Sequence, residues 1–255
     1  MSWNPDQYLK FAGPRLQPAI DLLARVPCAA PRVIYDLGCG TGNVTQLLVA
    51  RWPQAAITGV DDSAQMLAKA KAAVPGVNWL RQSLASWRAP APADLIYSNA
   101  ALHWLPNHER LFPALVEQLN PGGVLAVQMP RNFSAPSHVL IAETVRNGPW
   151  RGRLESLLVP SPVAEPAFYY DVLSAQVARL EIWETEYLQV LSGPDPVKEW
   201  TKGTWLKQFL DALAEPQRQA FEDEYAARLR DAYPALPDGN TLFPFRRLFL
   251  LAVAR

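Results

Sequence analysis

Apolar residues in the first half of the chain alternate between helical spacing and short unbroken runs. Leu16, Ile20 and Leu23 share one helical face over residues 16–26, and Pro27 stops that run. Residues 33–37 (VIYDL) form a short apolar run closed by glycines, which predicts a buried strand. Val44, Leu47, Leu48 and Trp52 predict a helix ended by Pro53, and residues 56–60 a second strand. Ser63 is placed to cap a helix carrying Met66, Leu67 and Ala70. Residues 77–80 and 94–98 predict the third and fourth strands. Asn107 is expected to cap a helix with Leu111, Phe112, Leu115 and Leu119 as its apolar faces. Asn120-Pro121-Gly122-Gly123 reads as a turn before a fifth strand at 124–129.

After Met129 the rhythm changes. Residues 130–176 read as irregular, with one helix near 137–146. Residues 177–191 alternate, Leu180 and Ile182 against Glu181 and Glu184, and read as a strand. Residues 195–233 look helical, with Phe221, Tyr225 and Leu229 four apart, and 248–254 form a last apolar strand. Strands alternating with helices predict an α/β fold with a doubly wound, mostly parallel sheet. We expect seven strands, the last two rejoining the sheet, and a mainly helical cap formed by insertions late in the chain. The expected division is a core over residues 1–130, then cap insertions at about 131–176 and 192–240 within 131–255.

Composition narrows the class. Of 255 residues, 49% are apolar and 19% charged, enough to bury a sizeable core and unlike a disordered chain. Lys+Arg and Asp+Glu both number 24, and a zero balance argues against bulk nucleic-acid binding. Cys28 and Cys39 match neither a zinc pattern nor a redox pair, and fit a reducing compartment. Residues 1–30 hold no secretory apolar block, and no run reaches the ~20 apolar residues of a membrane span. The expectation is a cytoplasmic protein, monomeric or a small homo-oligomer, with no membrane or nucleic-acid partner. His103, His108 and His138 do not form a ligand spacing, so no metal is expected.

Residues 36–43, Asp36-Leu37-Gly38-Cys39-Gly40-Thr41-Gly42-Asn43, lie between a predicted strand and a predicted helix. Glycines there let the backbone turn sharply and approach a ligand closely, at the sheet edge where α/β ligands bind. A dinucleotide fingerprint is G-x-G-x-x-G. Here the spacing is G-x-G-x-G, Asn43 stands where that pattern needs glycine, and Asp36 precedes the loop. This resembles the loop of Rossmann-like methyltransferases, whose ligand, S-adenosylmethionine, has an amino-acid end and no pyrophosphate. Asp61, ending the second strand, is placed to accept the ribose hydroxyls, with Asp62 as the alternative. Met66 is expected over the adenine. Asn99, after the fourth strand, is placed for the methionine end of the cofactor. The Asn99-Ala100-Ala101-Leu102-His103-Trp104 stretch lacks the N-P-P-[YF] segment of some amino-methyltransferases, which lowers the odds of N-methylation.

Trp3-Asn4-Pro5 with Tyr8, residues 18–27 (PAIDLLARVP), 99–105, 119–130 (LNPGGVLAVQMP), Tyr169-Tyr170-Asp171 and Arg247-Leu248-Phe249 resemble the trans-aconitate 2-methyltransferases over nearly the whole chain. The resemblance implies a monomethyl ester formed on trans-aconitate, a small tricarboxylate, with S-adenosylhomocysteine released. In that family an Asp usually follows the third strand to bind the adenine amino group. This chain has Ser83, with Leu84 next, a weaker acceptor. Arg15, with Tyr8, is read as a partner for the cofactor carboxylate, and Leu84 and Trp104 as further cofactor contacts. An ionised carboxylate needs no general base at neutral pH, so catalysis is expected to come from positioning and desolvation. Two carboxylates should be clamped by arginine. The candidates are Arg131, Arg246 and Arg247, with His103, Tyr169 and Tyr170 as neutral donors. Alternatives are methyl transfer to another small metabolite, a nicotinamide dehydrogenase, and a non-catalytic cofactor-binding module.

Overall fold

The computed structural model describes the backbone from residue 12 and side chains from residue 16. A helix, α1 (Ala12–Arg25), precedes β1 (Val33–Leu37), α2 (Asn43–Arg51), β2 (Ala56–Asp61), α3 (Ala64–Ala73) and β3 (Asn78–Arg81). Then come β4 (Ala93–Asn99), a 3-10 turn (Leu102–Trp104), α4 (His108–Val116) and β5 (Leu119–Pro130). The rest comprises α5 (Pro136–Asn147), α6 (Arg151–Leu154), α7 (Pro166–Leu173), β6 (Val177–Leu191), α8 (Pro196–Lys202), α9 (Lys207–Asp211), α10 (Gln217–Ala232) and β7 (Thr241–Ala254).

Seven strands form one sheet in the order β3-β2-β1-β4-β5-β7-β6. The first five pair in parallel and β7 runs antiparallel to β5, as the expected seven-stranded, mostly parallel α/β architecture requires. The order reverses between β1 and β4. That switch point opens a crevice at the carboxyl edge, the general binding place of such sheets. Strands buried on both faces must be apolar throughout. Ile34, Tyr35, Leu37, Leu95, Ile96, Tyr97, Leu125, Ala126 and Val127 are accordingly all buried.

The described chain divides into two compact units. A sheet unit comprises Arg15–Pro130, Pro162–Thr185 and Arg247–Arg255. A helical unit comprises Arg131–Ser161 and Glu186–Arg246, around a core that includes Ile141, Trp150, Trp200, Phe209, Phe221 and Phe243. The first expected insertion extended to 176, but residues 162–176 belong to the sheet unit. The reason is α7, read as irregular, which packs on α4: Phe112 and Tyr169 meet edge to face at 5.0 Å. The stretch 195–233 is three helices, broken around Gly203 and before Pro216.

Local signals explain most element ends. The Ser63 hydroxyl accepts the Met66 N–H at 3.3 Å, the expected cap. Asn107 makes no side-chain cap. It adopts φ 60, a conformation Asn tolerates, and its carbonyl accepts from Arg110 and Leu111. The expected 120–123 turn lies within the start of β5 and shifts the register against β4 between Ala93 and Leu95. Asp94 ties that end of the sheet. Its carboxylate accepts the Arg32 and Val33 N–H groups at 2.7 and 3.0 Å and the Asn120 amide at 2.8 Å.

Candidate active site

β1 delivers the chain into the glycine loop at the switch point. Gly38, Gly40 and Gly42 have φ of 76, 54 and 83, the left-handed region closed to most side chains. At Gly38 a Cβ would lie 2.1 Å from the Ala101 Cβ, so the loop and the segment after β4 are in direct backbone approach. At Gly40 nothing lies within 4 Å, and the loop is open there.

The loop's hydrogen bonds discriminate between ligands. The N–H groups of Gly38 and Cys39 donate to the Val60 carbonyl at 2.8 and 3.1 Å, and Gly42 donates to Cys39 at 2.9 Å. Gly40 donates to the Asp61 carboxylate at 3.0 Å. A pyrophosphate cradle needs such N–H groups turned toward the anion. Here the protein consumes those of Gly38, Cys39, Gly40 and Gly42, and a carboxylate stands against Gly40. The loop offers a cavity wall and not an anion nest.

Asp61 ends β2 with one carboxylate oxygen on Gly40 and the other on the Ser63 N–H at 2.9 Å. Burial raises its pKa, and those N–H groups pull it back down. Asp62 is exposed, its carbonyl receiving Arg81 Nε at 3.1 Å. Of the two acids, therefore, Asp61 is the one turned to the loop. Asp36 is 2% exposed and accepts the Thr45 hydroxyl at 2.6 Å, which fixes the first turn of α2 to β1. Burial, against the Thr45 hydrogen bond and with help from the Asp61 charge, raises its pKa to about 7.

Met66 is buried at the start of α3, whereas Ser83 and Asn43 are exposed and Leu84 is half-buried. Ser83 Oγ accepts the Ala85 N–H at 3.4 Å. Asn99 ends β4, and Ala100 after it is held at φ 52, a backbone strain typical of functional segments. Asn99 Oδ1 is buried with no hydrogen-bond partner among the described residues. Leaving such an acceptor unsatisfied costs about 1–3 kcal/mol, so this end of β4 is prepared for a donor from outside the fold. Tyr8 and the Arg15 side chain lie outside the described residues.

His103 is 5% exposed with its ring 4.6 Å from the half-buried Trp104. Arg247 is buried, and its strand position faces Pro130 of β5. Tyr170 is 59% exposed. Tyr169 is fully buried, a correction to its reading as a substrate donor: its hydroxyl lies 2.7 Å from His108 Nδ1 and accepts the Ala164 N–H at 3.3 Å. We expect Tyr169→Phe to lower stability by about 1–3 kcal/mol, the cost of stranding buried groups, with an unchanged KM for the acceptor. Urea unfolding and steady-state kinetics check both. In the helical unit, the Arg131 N–H donates to the Arg246 carbonyl at 3.0 Å, and the exposed Arg246 guanidinium lies 3.9 Å from Glu186.

Burial keeps two of the three histidines neutral, and in His108 both ring nitrogens are engaged. His108 Nε2 meets the Leu102 carbonyl at 3.1 Å and Nδ1 meets Tyr169, and burial lowers its pKa. His138 is pushed down to about 4 by burial.

Three site features escaped the sequence reading. Trp79 of β3 lies under the loop, where a Cβ on Gly59 would meet its ring at 2.4 Å and one on Gly42 at 3.1 Å. An isolated glycine inside a strand is the available signal for such an approach. Thr45 is the partner of Asp36. Gln128, a polar residue inside an apolar strand, is fully buried with neither amide atom hydrogen-bonded among the described residues.

A doubly wound seven-stranded sheet, a glycine loop with its N–H groups turned inward, and acceptors at the ends of β2 and β4 define a class I, Rossmann-like methyltransferase. The methyltransferase-domain family model matches residues 34–123. Solved structures share the fold. YcgJ of Bacillus subtilis superposes with a TM-score of 0.58 at 16% identity, covering 94% of this chain and 99% of that one. Phosphoethanolamine N-methyltransferase 2 of Haemonchus contortus, in complex with S-adenosyl-L-methionine, gives 0.55 at 15%, covering 93% of this chain and 52% of that one. Trans-aconitate 2-methyltransferase of Azoarcus sp. (strain BH72) is 49% identical over 252 residues, 99% of each chain. The chain belongs to the trans-aconitate 2-methyltransferase family.

Proposed function

We propose that the chain, acting in the cytoplasm, transfers the methyl group of S-adenosylmethionine to a carboxylate oxygen of trans-aconitate, giving a monomethyl ester and S-adenosylhomocysteine. The observation that carries this reading is the 49% identity to a relative of that name across 99% of both chains.

The residues present fit the cofactor. Asp61 supports a ribose, the loop around Gly40 leaves room for the nucleoside, and the buried Asn99 Oδ1 supplies an acceptor for an ammonium group. When bound, the cofactor supplies an electrophilic methyl: the oxygen–carbon bond forms as the carbon–sulfur bond breaks, and the electron pair stays on sulfur. The protein's part is to bind, orient and dehydrate. A carboxylate with pKa near 4 arrives ionised, so no residue must take a proton. Arg247, buried on the sheet, anchors a carboxylate. Aligning the reactants contributes roughly 7–11 kcal/mol.

Labelled cofactor, offered with a panel of di- and tricarboxylates, tests the reading. The expected result is label on trans-aconitate as a monomethyl ester. Label on another acid and none on trans-aconitate would overturn it. At saturation, kcat is expected to be flat from about pH 6 to 8, as for an acceptor ionised throughout. A single-proton limb that disappears in His103→Gln would identify a general base and defeat the base-free mechanism.

A further inference from the structure

Gln128 pairs across the sheet with Asn99 on β4 and with Phe249 on β7. Side chains alternate along a strand, so Asn99, Gln128 and Phe249 share one face, and Arg247, two residues before Phe249, shares it too. Phe249 is stacked on Trp183 at 4.9 Å and 6°. The face therefore carries a row of two amides and a guanidinium beside an aromatic pair. Apolar residues fill the strand around Gln128: Ala126, Val127 and Met129 are all buried. Packing among these apolar neighbours needs no amide at 128, and a leucine there carries no polar group to leave unsatisfied.

The carboxyl edge gives the order of events in space. Asp61 ends β2, the glycine loop follows β1, Asn99 ends β4, and Gln128 lies beside Asn99 on β5. A cofactor reaching from Asp61 to Asn99 occupies the first three positions. The next position belongs to the group that receives the methyl. A guanidinium there would hold a carboxylate firmly but would stabilise its full charge, which the transition state disperses. A neutral amide donates one hydrogen bond and leaves the second oxygen to attack.

We infer that the Gln128 carboxamide holds the reacting carboxylate of the acceptor through Nε2, while Arg247 anchors another carboxylate on the same face. This rests on the proposed function for the acceptor class. The amide is closed to solvent, so a ligand reaching it meets a dry donor, the condition for stripping water from the nucleophile.

The test uses Gln128→Leu and Gln128→Glu. Three quantities are measured: thermal unfolding of the unliganded protein, S-adenosylhomocysteine affinity, and trans-aconitate affinity of the S-adenosylhomocysteine complex, the affinities by calorimetry. Gln128→Leu is expected to leave the unfolding temperature equal or higher and S-adenosylhomocysteine affinity unchanged. It should weaken trans-aconitate about tenfold, the loss of one hydrogen bond to a charged group. Gln128→Glu should weaken trans-aconitate further, by like-charge repulsion. A fall in unfolding temperature in Gln128→Leu, a loss confined to S-adenosylhomocysteine, or unchanged trans-aconitate affinity in Gln128→Leu would each overturn the assignment. Wild-type turnover of trans-aconitate tests the underlying function separately. If the wild type prefers another acid, that acid replaces trans-aconitate in the same titration and the same outcomes decide.

Discussion

Replacing Gly38 by valine is expected to weaken S-adenosylhomocysteine binding about 100-fold and to lower stability at the same time. Two costs combine. The backbone sits at φ 76, where an L side chain costs roughly 1–2 kcal/mol. A Cβ would also lie 2.1 Å from the Ala101 Cβ, so one of the two segments must move. Ala101 follows Ala100, already strained at φ 52, and Asn99, whose buried oxygen is the proposed ammonium acceptor. Displacing that segment by an ångström misaligns the end of β4 and breaks the charge-assisted hydrogen bond proposed there, up to about 3 kcal/mol, on the order of 100-fold in affinity. Gly40→Val is the internal contrast. Its Cβ meets nothing within 4 Å, so its stability cost is only the backbone term of roughly 1–2 kcal/mol. Its binding loss then reports directly on whether the ligand fills that space. Calorimetric titration and urea unfolding of the two variants separate the effects. Wild-type affinity in Gly38→Val would show that the loop does not bound the cofactor site.

The features that were readable from sequence are those written in contiguous residues. The strand-loop-helix unit around Asp36 to Asn43 declares itself because its strand is an apolar run, its glycines alternate over five residues and its helix follows at once. Asp61 and Asn99 follow from the same logic, since both sit at the carboxyl ends of apolar runs. What the sequence hid depends on residues far apart. Tyr169 reads as one of two candidate substrate donors until it is seen against His108, 61 residues earlier, which captures its hydroxyl. Helix α7 is eight residues long, too short for a periodic face to show, and it is held by Phe112 and His108 on α4. Thr45 looks like any residue of an amphipathic helix, and only the fold brings its hydroxyl to Asp36. Trp79 and Gly59 are register partners on neighbouring strands, a relation no local pattern encodes. Gln128 stood in plain view within an apolar strand, but its meaning came only from the row it shares with Asn99 and Arg247.

Wild-type stability is expected to fall as pH rises from about 4 to 7 relative to Asp36→Asn, by up to about 4 kcal/mol. The cause is the burial that raises the Asp36 pKa from 3.8 to about 7. In the unfolded chain the carboxyl loses its proton near pH 4; in the folded chain it keeps it until about pH 7. Between those values the native state binds the extra proton, so the slope of unfolding free energy against pH is negative. The stability from this group is complete at the acid end of the window and exhausted above the folded value. Asparagine keeps an oxygen for the Thr45 hydroxyl and has no proton to lose, so the variant lacks that slope. Urea unfolding of both proteins across the window gives the difference directly, since titrations common to the two cancel. The Asp61 charge adds to the Asp36 shift, so Asp61→Asn should move the window toward acid without removing it. A constant difference between wild type and Asp36→Asn across the range would mean that Asp36 is ionised within the fold. The Thr45 hydrogen bond, the opposing influence at 2.6 Å, would then have outweighed burial.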